Sequence, residues 1–157
     1  PTFEVAIAYG KGVILKEPYE KMSGNFFYNF IKTHFNLTFG KAGPKAYRKR
    51  IFVMDNDPCQ TSKKAMSAIH QIECESHQIP ARSPDLNPIE NAFNLIKRKL
   101  ENDAIDQEIR KENFNDFRDR VLRCFASLDR GILDRTIESM PKRVEAILSC
   151  NGRRIKY

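Results

Sequence analysis

The chain has 157 residues, with 27 Lys and Arg against 20 Asp and Glu, a formal charge of +7, and 41% apolar residues. That length suffices for a buried core without metal or disulfide staples, and a charged fraction of 30% over both signs argues against a disordered tail. No window reaches the ~18 consecutive apolar residues of a membrane helix, and the N-terminus does not read as a secretory signal.

Phe3, Val5, Ile7 and Tyr9 alternate with Glu4, Ala6 and Ala8, the period of a half-buried strand, and the Gly10-Lys11-Gly12 turn before Val13-Ile14-Leu15 predicts a hairpin. Ser23 is placed to cap a helix whose apolar face runs through Phe26/Phe27, Phe30/Ile31, His34 and Leu37. Gly40 to Pro44 then reads as a basic loop. Ile51-Phe52-Val53-Met54 has the continuous apolar character of a parallel strand covered on both faces. Asp57 and Pro58 predict an N-cap and first helical position, with Ala65, Ile69 and Ile72 as the buried stripe, and Ile79 to Ala81 a further short strand.

Two prolines bar regular structure from Ser83 to Asn87, after which Asn87 as cap and Pro88 at the first helical position start a helix with the stripe Ile89, Phe93, Ile96 and Leu100. Phe114, Phe117, Val121, Phe125 and Leu128 predict an amphipathic helix, Ile132, Leu133 and Ile137 a short one, and Val144, Ile147 and Leu148 a last one closing near Gly152. The order predicts an α/β core over residues 1–102 and a helical extension over 103–157. Cys59, Cys74, Cys124 and Cys150 form no short zinc-type step with one another or with His34, His70 and His77, so free thiols in a reducing compartment are expected.

Positive charge is clustered. Lys41 to Arg50 carries five basic residues and no acid, Lys97-Arg98-Lys99 forms a second group, and Pro141 to Tyr157 has five basic residues against one acid. Such blocks suit a polyanion, although any one of them also suits a solvated surface. Two acids stand where chemistry could be done: Asp55 at the carboxyl end of the apolar strand and Glu90 in the first turn of a helix, with 34 residues between them. Hard divalent cations are held by such carboxylates. Glu90 also stands where a capping box would use it, and Asp55 where an Asx turn would. Spacing alone leaves both roles open.

Met54-Asp55-Asn56-Asp57-Pro58 followed by Ser83-Pro84-Asp85-Leu86-Asn87-Pro88-Ile89-Glu90-Asn91 resembles the second and third acidic motifs of Tc/mariner-type DDE transposases. The resemblance takes in the 34-residue interval, the Val5 to Tyr9 segment with its glycine turn, and Glu138 to Arg143 with the Lys156-Tyr157 ending. It implies a ribonuclease-H-like mixed sheet with a C-terminal helical extension. It makes Asp55 and Glu90 catalytic, metal-binding acids for two Mg²⁺ or Mn²⁺ ions. The partners it implies are double-stranded DNA, both terminal inverted repeats and target, and a second copy in a homodimer; the compartment is the nucleus, with no membrane.

Gln60 and Phe93 replace a histidine and a tryptophan common in the family. The family's first catalytic aspartate lies on the first strand of the fold, whereas no aspartate precedes Asp55, and the chain begins at Pro1. The expectation is therefore an N-terminally truncated catalytic domain, inactive alone. Its competitors are a non-catalytic or domesticated nucleic-acid-binding transposon remnant, and another ribonuclease-H-like nuclease acting on RNA, which the Ser83 to Asn91 motif disfavours. Lys45, Arg48, Lys49, Arg50, Lys97 and Arg98 are the candidates for phosphate contact.

Overall fold

The alternating residues near the N-terminus form β1 (Thr2–Ala8), which pairs with β2 (Gly12–Tyr19). A three-residue link makes the pair an antiparallel hairpin, with Gly10 and Gly12 at φ of 69° and 73°, where a side chain would be strained. The computed structural model describes residues 2–44, 50–80, 82–153 and 155. They cluster into two units, one of residues 1–18 and 84–157, the other of residues 19–83.

In the first unit the hairpin joins four helices, α4 (Pro88–Asp106), α5 (Phe114–Ala126), α6 (Arg130–Glu138) and α7 (Met140–Ser149), numbered after three helices in the second unit. Each of the first three starts at a side-chain cap: Asn87 accepts from the Ile89 amide, Asn113 from Asp116 and Asp129 from Ile132. Ile96, Val121, Cys124 and Phe125 form a buried cluster, with Phe3, Val5 and Val13 of the hairpin packed against it. Ring contacts at 6.0 Å from Phe3 and 6.5 Å from Phe93 converge on Phe125. The hairpin tip is tied to α6, where the Gly10 amide donates to Asp134 at 2.7 Å and the Tyr9 hydroxyl to Glu138.

The last helix faces differently from the expectation. Val144 and Leu148 are 43% and 71% exposed, and the residue α7 buries is Arg143, in register with Met140 and Ile147. The buried stripe lies one position from the apolar one because a guanidinium with enough hydrogen-bond acceptors can occupy an interior site.

A second buried cation joins α4 to α5. Arg120 donates from Nε and Nη2 to the two Glu112 carboxylate oxygens at 2.8 and 2.7 Å, and from Nη1 to the Leu100 carbonyl at 2.8 Å. These bonds hold the Glu112 carboxyl below the usual carboxylate range, outweighing its desolvation. A carboxyl lowered on folding stabilises the native state above its unfolded pKa of about 4.3 and ceases to do so as pH falls through the folded value. Glu112→Gln is expected to flatten the acid limb of stability below about pH 4, followed by circular dichroism; an acid limb identical to wild type would refute this.

In the second unit α1 (Gly24–Phe30) passes through a π-helical stretch (Ile31–Phe35) into α2 (Asn36–Lys41). Ser23 caps it as expected, accepting from the Phe26 amide at 3.1 Å. The π turn alters which face is buried. Phe27, Phe30 and Ile31 are followed inward by Phe35 and Thr38, while Leu37 is 66% exposed. The wider turn takes up an extra residue and so shifts the stripe from 34/37 to 35/38.

The apolar run forms β3 (Arg50–Met54), parallel to β4 (Cys74–Gln78) with Arg50 opposite Cys74 and Met54 opposite Gln78. β4 begins earlier than the expected Ile79 to Ala81, in a polar segment with no apolar signal; the Ile79 amide still donates to the Met54 carbonyl at 3.1 Å, and Ala81 lies outside the described residues. The expected cover on both faces of β3 is not found within this unit. Phe52 meets Phe35 at 4.9 Å, but Ile51 and Val53 are 59% and 47% exposed. Asp57 does not cap the following helix, either. α3 (Lys63–Gln71) starts at Ser62, because residues 58–60 form a turn closed by bonds to the Asp57 carbonyl.

No described helix is long and apolar enough to cross a membrane. The ladders are antiparallel in one unit and parallel in the other, with helices in each.

Candidate active site

Asp55 follows the last residue of β3, exposed, at the carboxyl end where α/β sheets present their reactive groups. Its loop is held locally. The Asp57 amide donates to Asp55 Oδ1 at 3.2 Å, the Cys59 amide to Asp57 Oδ1 at 2.7 Å, and Asn56 Nδ2 to the Ile79 carbonyl at 2.8 Å. The Asx turn is thus formed, and it occupies one Asp55 oxygen; among the described residues Oδ2 has no protein donor. Asn56 clamps the end of β3 to the residue after β4, a role that nothing in its sequence context signals.

Glu90 is half-buried in the first turn of α4. The capping-box alternative is not what the structure contains: the Asn87 amide donates to the Pro84 carbonyl at 3.1 Å, and among the described residues the Glu90 carboxylate has no hydrogen-bond or ion-pair partner. Asn87 and Pro88 start the helix as expected, and Asn87 Oδ1 takes up the Ile89 amide at 3.3 Å. Asp85, in the 3-10 turn Pro84–Leu86, is a structural acid whose Oδ2 accepts from the Ile155 amide at 3.1 Å.

Asp55 belongs to the second unit and Glu90 to the first, and the surroundings of each are those of its own unit. Among the described residues there is no group of three or more His, Cys, Asp and Glu that could hold a metal ion. The donor chemistry of each acid nevertheless fits a hard divalent ion, since among the described residues no base pairs with either carboxylate. Thiols offer no alternative centre. All four cysteines are free, and burial pushes the Cys74 thiol up to about 11.

Ala92 and Ile96 fill the buried side of α4, while Asn94, Lys97 and Arg98 are exposed. Helical geometry puts Glu90, Asn94 and Lys97 on one stripe, with Lys97 and Arg98 about 10–12 Å along the axis from the glutamate. Among the described residues neither base has a hydrogen-bond or ion-pair partner. Arg50 is engaged within its unit, donating to the Gly43 carbonyl and lying 5.5 Å over the Phe39 ring. Lys45, Arg48 and Lys49 lie outside the described residues.

Residues 4–112 match the family described as DDE superfamily endonuclease. The Tc1 transposase of Caenorhabditis elegans is 30% identical over 107 residues, covering 68% of this chain and 37% of its own length. The Tcb2 transposase of Caenorhabditis briggsae is 28% identical over 110 residues, 70% of this chain and 38% of its own length. The chain therefore spans less than two-fifths of these relatives. Among solved structures, the catalytic domain of Mos1 mariner transposase superposes with a TM-score of 0.72 at 19% identity, covering 99% of this chain and 82% of that one. The likeness establishes the fold, an α/β architecture of the ribonuclease-H-like kind.

Proposed function

Since the chain belongs to the DDE superfamily endonucleases, we propose that it is part of the catalytic domain of a cut-and-paste DNA transposase, working by metal-dependent strand cleavage and strand transfer. The observation that carries this reading is Glu90, a partnerless carboxylate among the described residues, in the first turn of a helix and separated by 34 residues from a strand-end aspartate. Its cofactors are two Mg²⁺ or Mn²⁺ ions, held by Asp55, Glu90 and the aspartate that the family resemblance places upstream. When bound, such ions activate an attacking water or 3′-hydroxyl and stabilise the leaving oxygen. Structures of the Mos1 paired-end complex with Mn and of the Mos1 catalytic domain with Mg support the metal.

The chain's own residues do the placing. The Asx turn and the Asn56 clamp hold the Asp55 carboxylate at the strand end, and the first turn of α4 presents Glu90. With two acids in place of three, the 157-residue chain alone binds the ions weakly and does not cleave DNA. Nicking of supercoiled DNA by this chain with Mn²⁺, lost in Glu90→Ala, would overturn that part of the reading.

The partners are the transposon's duplex terminal repeats and target DNA, with a homodimer as the working form and the nucleus as its compartment. A paired-end complex and a strand transfer complex of Mos1 support the DNA and its two-ended handling. Lys97 and Arg98 are the proposed phosphate contacts nearest Glu90, with Lys45, Arg48, Lys49 and Arg50 a second group. Replacing Lys97 and Arg98 by glutamine is expected to reduce the slope of log binding constant against log salt by about 2, as measured by fluorescence anisotropy. An unchanged slope assigns them to ordinary solvated surface. Equal cleavage of RNA and terminal-repeat duplex by the full-length protein would reject the transposase reading.

A further inference from the structure

Arg143 is 4% exposed, and the acceptors that compensate its charge converge from separate parts of the first unit. Its Nε donates to Oγ of Ser139, the N-cap residue of α7, at 2.8 Å. Its Nη1 donates to the Asp85 carbonyl and to Asn91 Oδ1, both at 3.0 Å. These two acceptors bracket Glu90 in the chain, one in the 3-10 turn before α4 and the other beside Glu90 in its first turn. The turn is further closed by the Asn87 amide on the Pro84 carbonyl and by the Ile155 amide on the Asp85 carboxylate.

We infer that Arg143 is a positioning residue for Glu90, a guanidinium strut from α7 that fixes the start of α4 and so the direction of the carboxylate. The inference rests on the transposase reading, in which Glu90 is a metal ligand. Glu90 makes no side-chain bond of its own among the described residues, so the backbone of this turn decides where its oxygens lie. A buried guanidinium is costly unless its donors are satisfied, so the Asp85 and Asn91 acceptors are held to it as firmly as it is to them. A lysine could not replace it, because a single ammonium on a flexible stem does not span Ser139, Asp85 and Asn91 in one fixed plane.

The test uses the full-length protein, with Mn²⁺ binding read by electron paramagnetic resonance and amide hydrogen exchange read over residues 87–91. Arg143→Lys is expected to weaken Mn²⁺ binding by about 10- to 100-fold, the scale for a group that supports a metal ligand, and to speed exchange in the first turn of α4. Terminal-repeat DNA binding should remain at the wild-type level. Asn91→Ala, which removes one acceptor and leaves the buried cation its others, should shift Mn²⁺ binding in the same direction by a smaller factor; it decides the matter if Arg143→Lys fails to fold. Unchanged Mn²⁺ affinity in a folded Arg143→Lys protein, or in Asn91→Ala where that protein does not fold, overturns the inference. Glu90→Ala separates the two levels: if it binds Mn²⁺ as well as wild type, the metal-ligand reading of Glu90 itself fails, whatever Arg143 does.

Discussion

Glu90→Ala in the full-length protein is expected to lower the rate of terminal-repeat cleavage by about 10³-fold, or ~4 kcal/mol of transition-state stabilisation, while leaving the fold intact. The two halves of this expectation have separate grounds. On the proposed mechanism the loss follows from removing one of few oxygen ligands, since an ion that shifts or leaves would no longer align the attacking group. The intact fold follows from the surroundings of Glu90: among the described residues its carboxylate supports no hydrogen bond or ion pair, and the α4 start is capped by Asn87. Stability should change by no more than about 0.5 kcal/mol.

Asp55→Asn is the matching variant at the other acid. The amide oxygen can still accept from Asp57, preserving the 3.2 Å Asx turn, while the charge is lost. Cleavage assays with labelled terminal-repeat duplex, alongside thermal melts, measure both effects. Wild-type cleavage in either variant would remove that acid from the mechanism, and a large fall in melting temperature would make its role structural.

Phe27→Ala is expected to cost about 3–5 kcal/mol of stability in urea unfolding, a substantial part of what a domain usually possesses. Phe27 is 0% exposed, with ring centroids of Phe30 and Phe35 at 6.4 and 6.1 Å. Phe35 in turn meets Phe52 of β3, so the aromatic cluster ties the helix and its π turn to the strand that ends just before Asp55. Truncating Phe27 leaves a cavity among rigid rings that cannot easily collapse into it. Leu37→Ala, in the same helical run, is the internal control. It lies on the solvent face and should cost no more than about 0.5 kcal/mol. A Phe27→Ala penalty below about 1 kcal/mol would mean that the cluster is not the core of this unit.

The strand before Asp55, the helix beginning at Asn87 and Pro88, and the hairpin around Gly10 to Gly12 were all legible in the chain. Each rests on local chemistry: an apolar run, a cap followed by a proline, and glycines at positive φ. The candidate acids were legible as a pair of motifs at a fixed interval, and with them the family. The edge strand Cys74–Gln78 was not, because it is defined by hydrogen bonds to β3 and carries almost no apolar signal. The burial of Phe35 and Thr38 in place of His34 and Leu37 was also hidden, since helical periodicity assumes a turn that the π-helical stretch does not keep.

By itself, then, the sequence determined the family and the two motif acids proposed to carry its chemistry, because motif residues and caps act through near neighbours. Tertiary structure alone decided which alternatives those residues take. Asp55 forms its Asx turn and keeps one oxygen free of protein donors among the described residues, Glu90 is released from capping because Pro84 takes the Asn87 amide, and Arg143 turns inward to meet Asp85 and Asn91. The last of these joins residues 52 and 58 positions apart in the chain, and no local pattern encodes a partner at that distance. The partner is set by packing and by the need of a buried cation for acceptors wherever the fold supplies them.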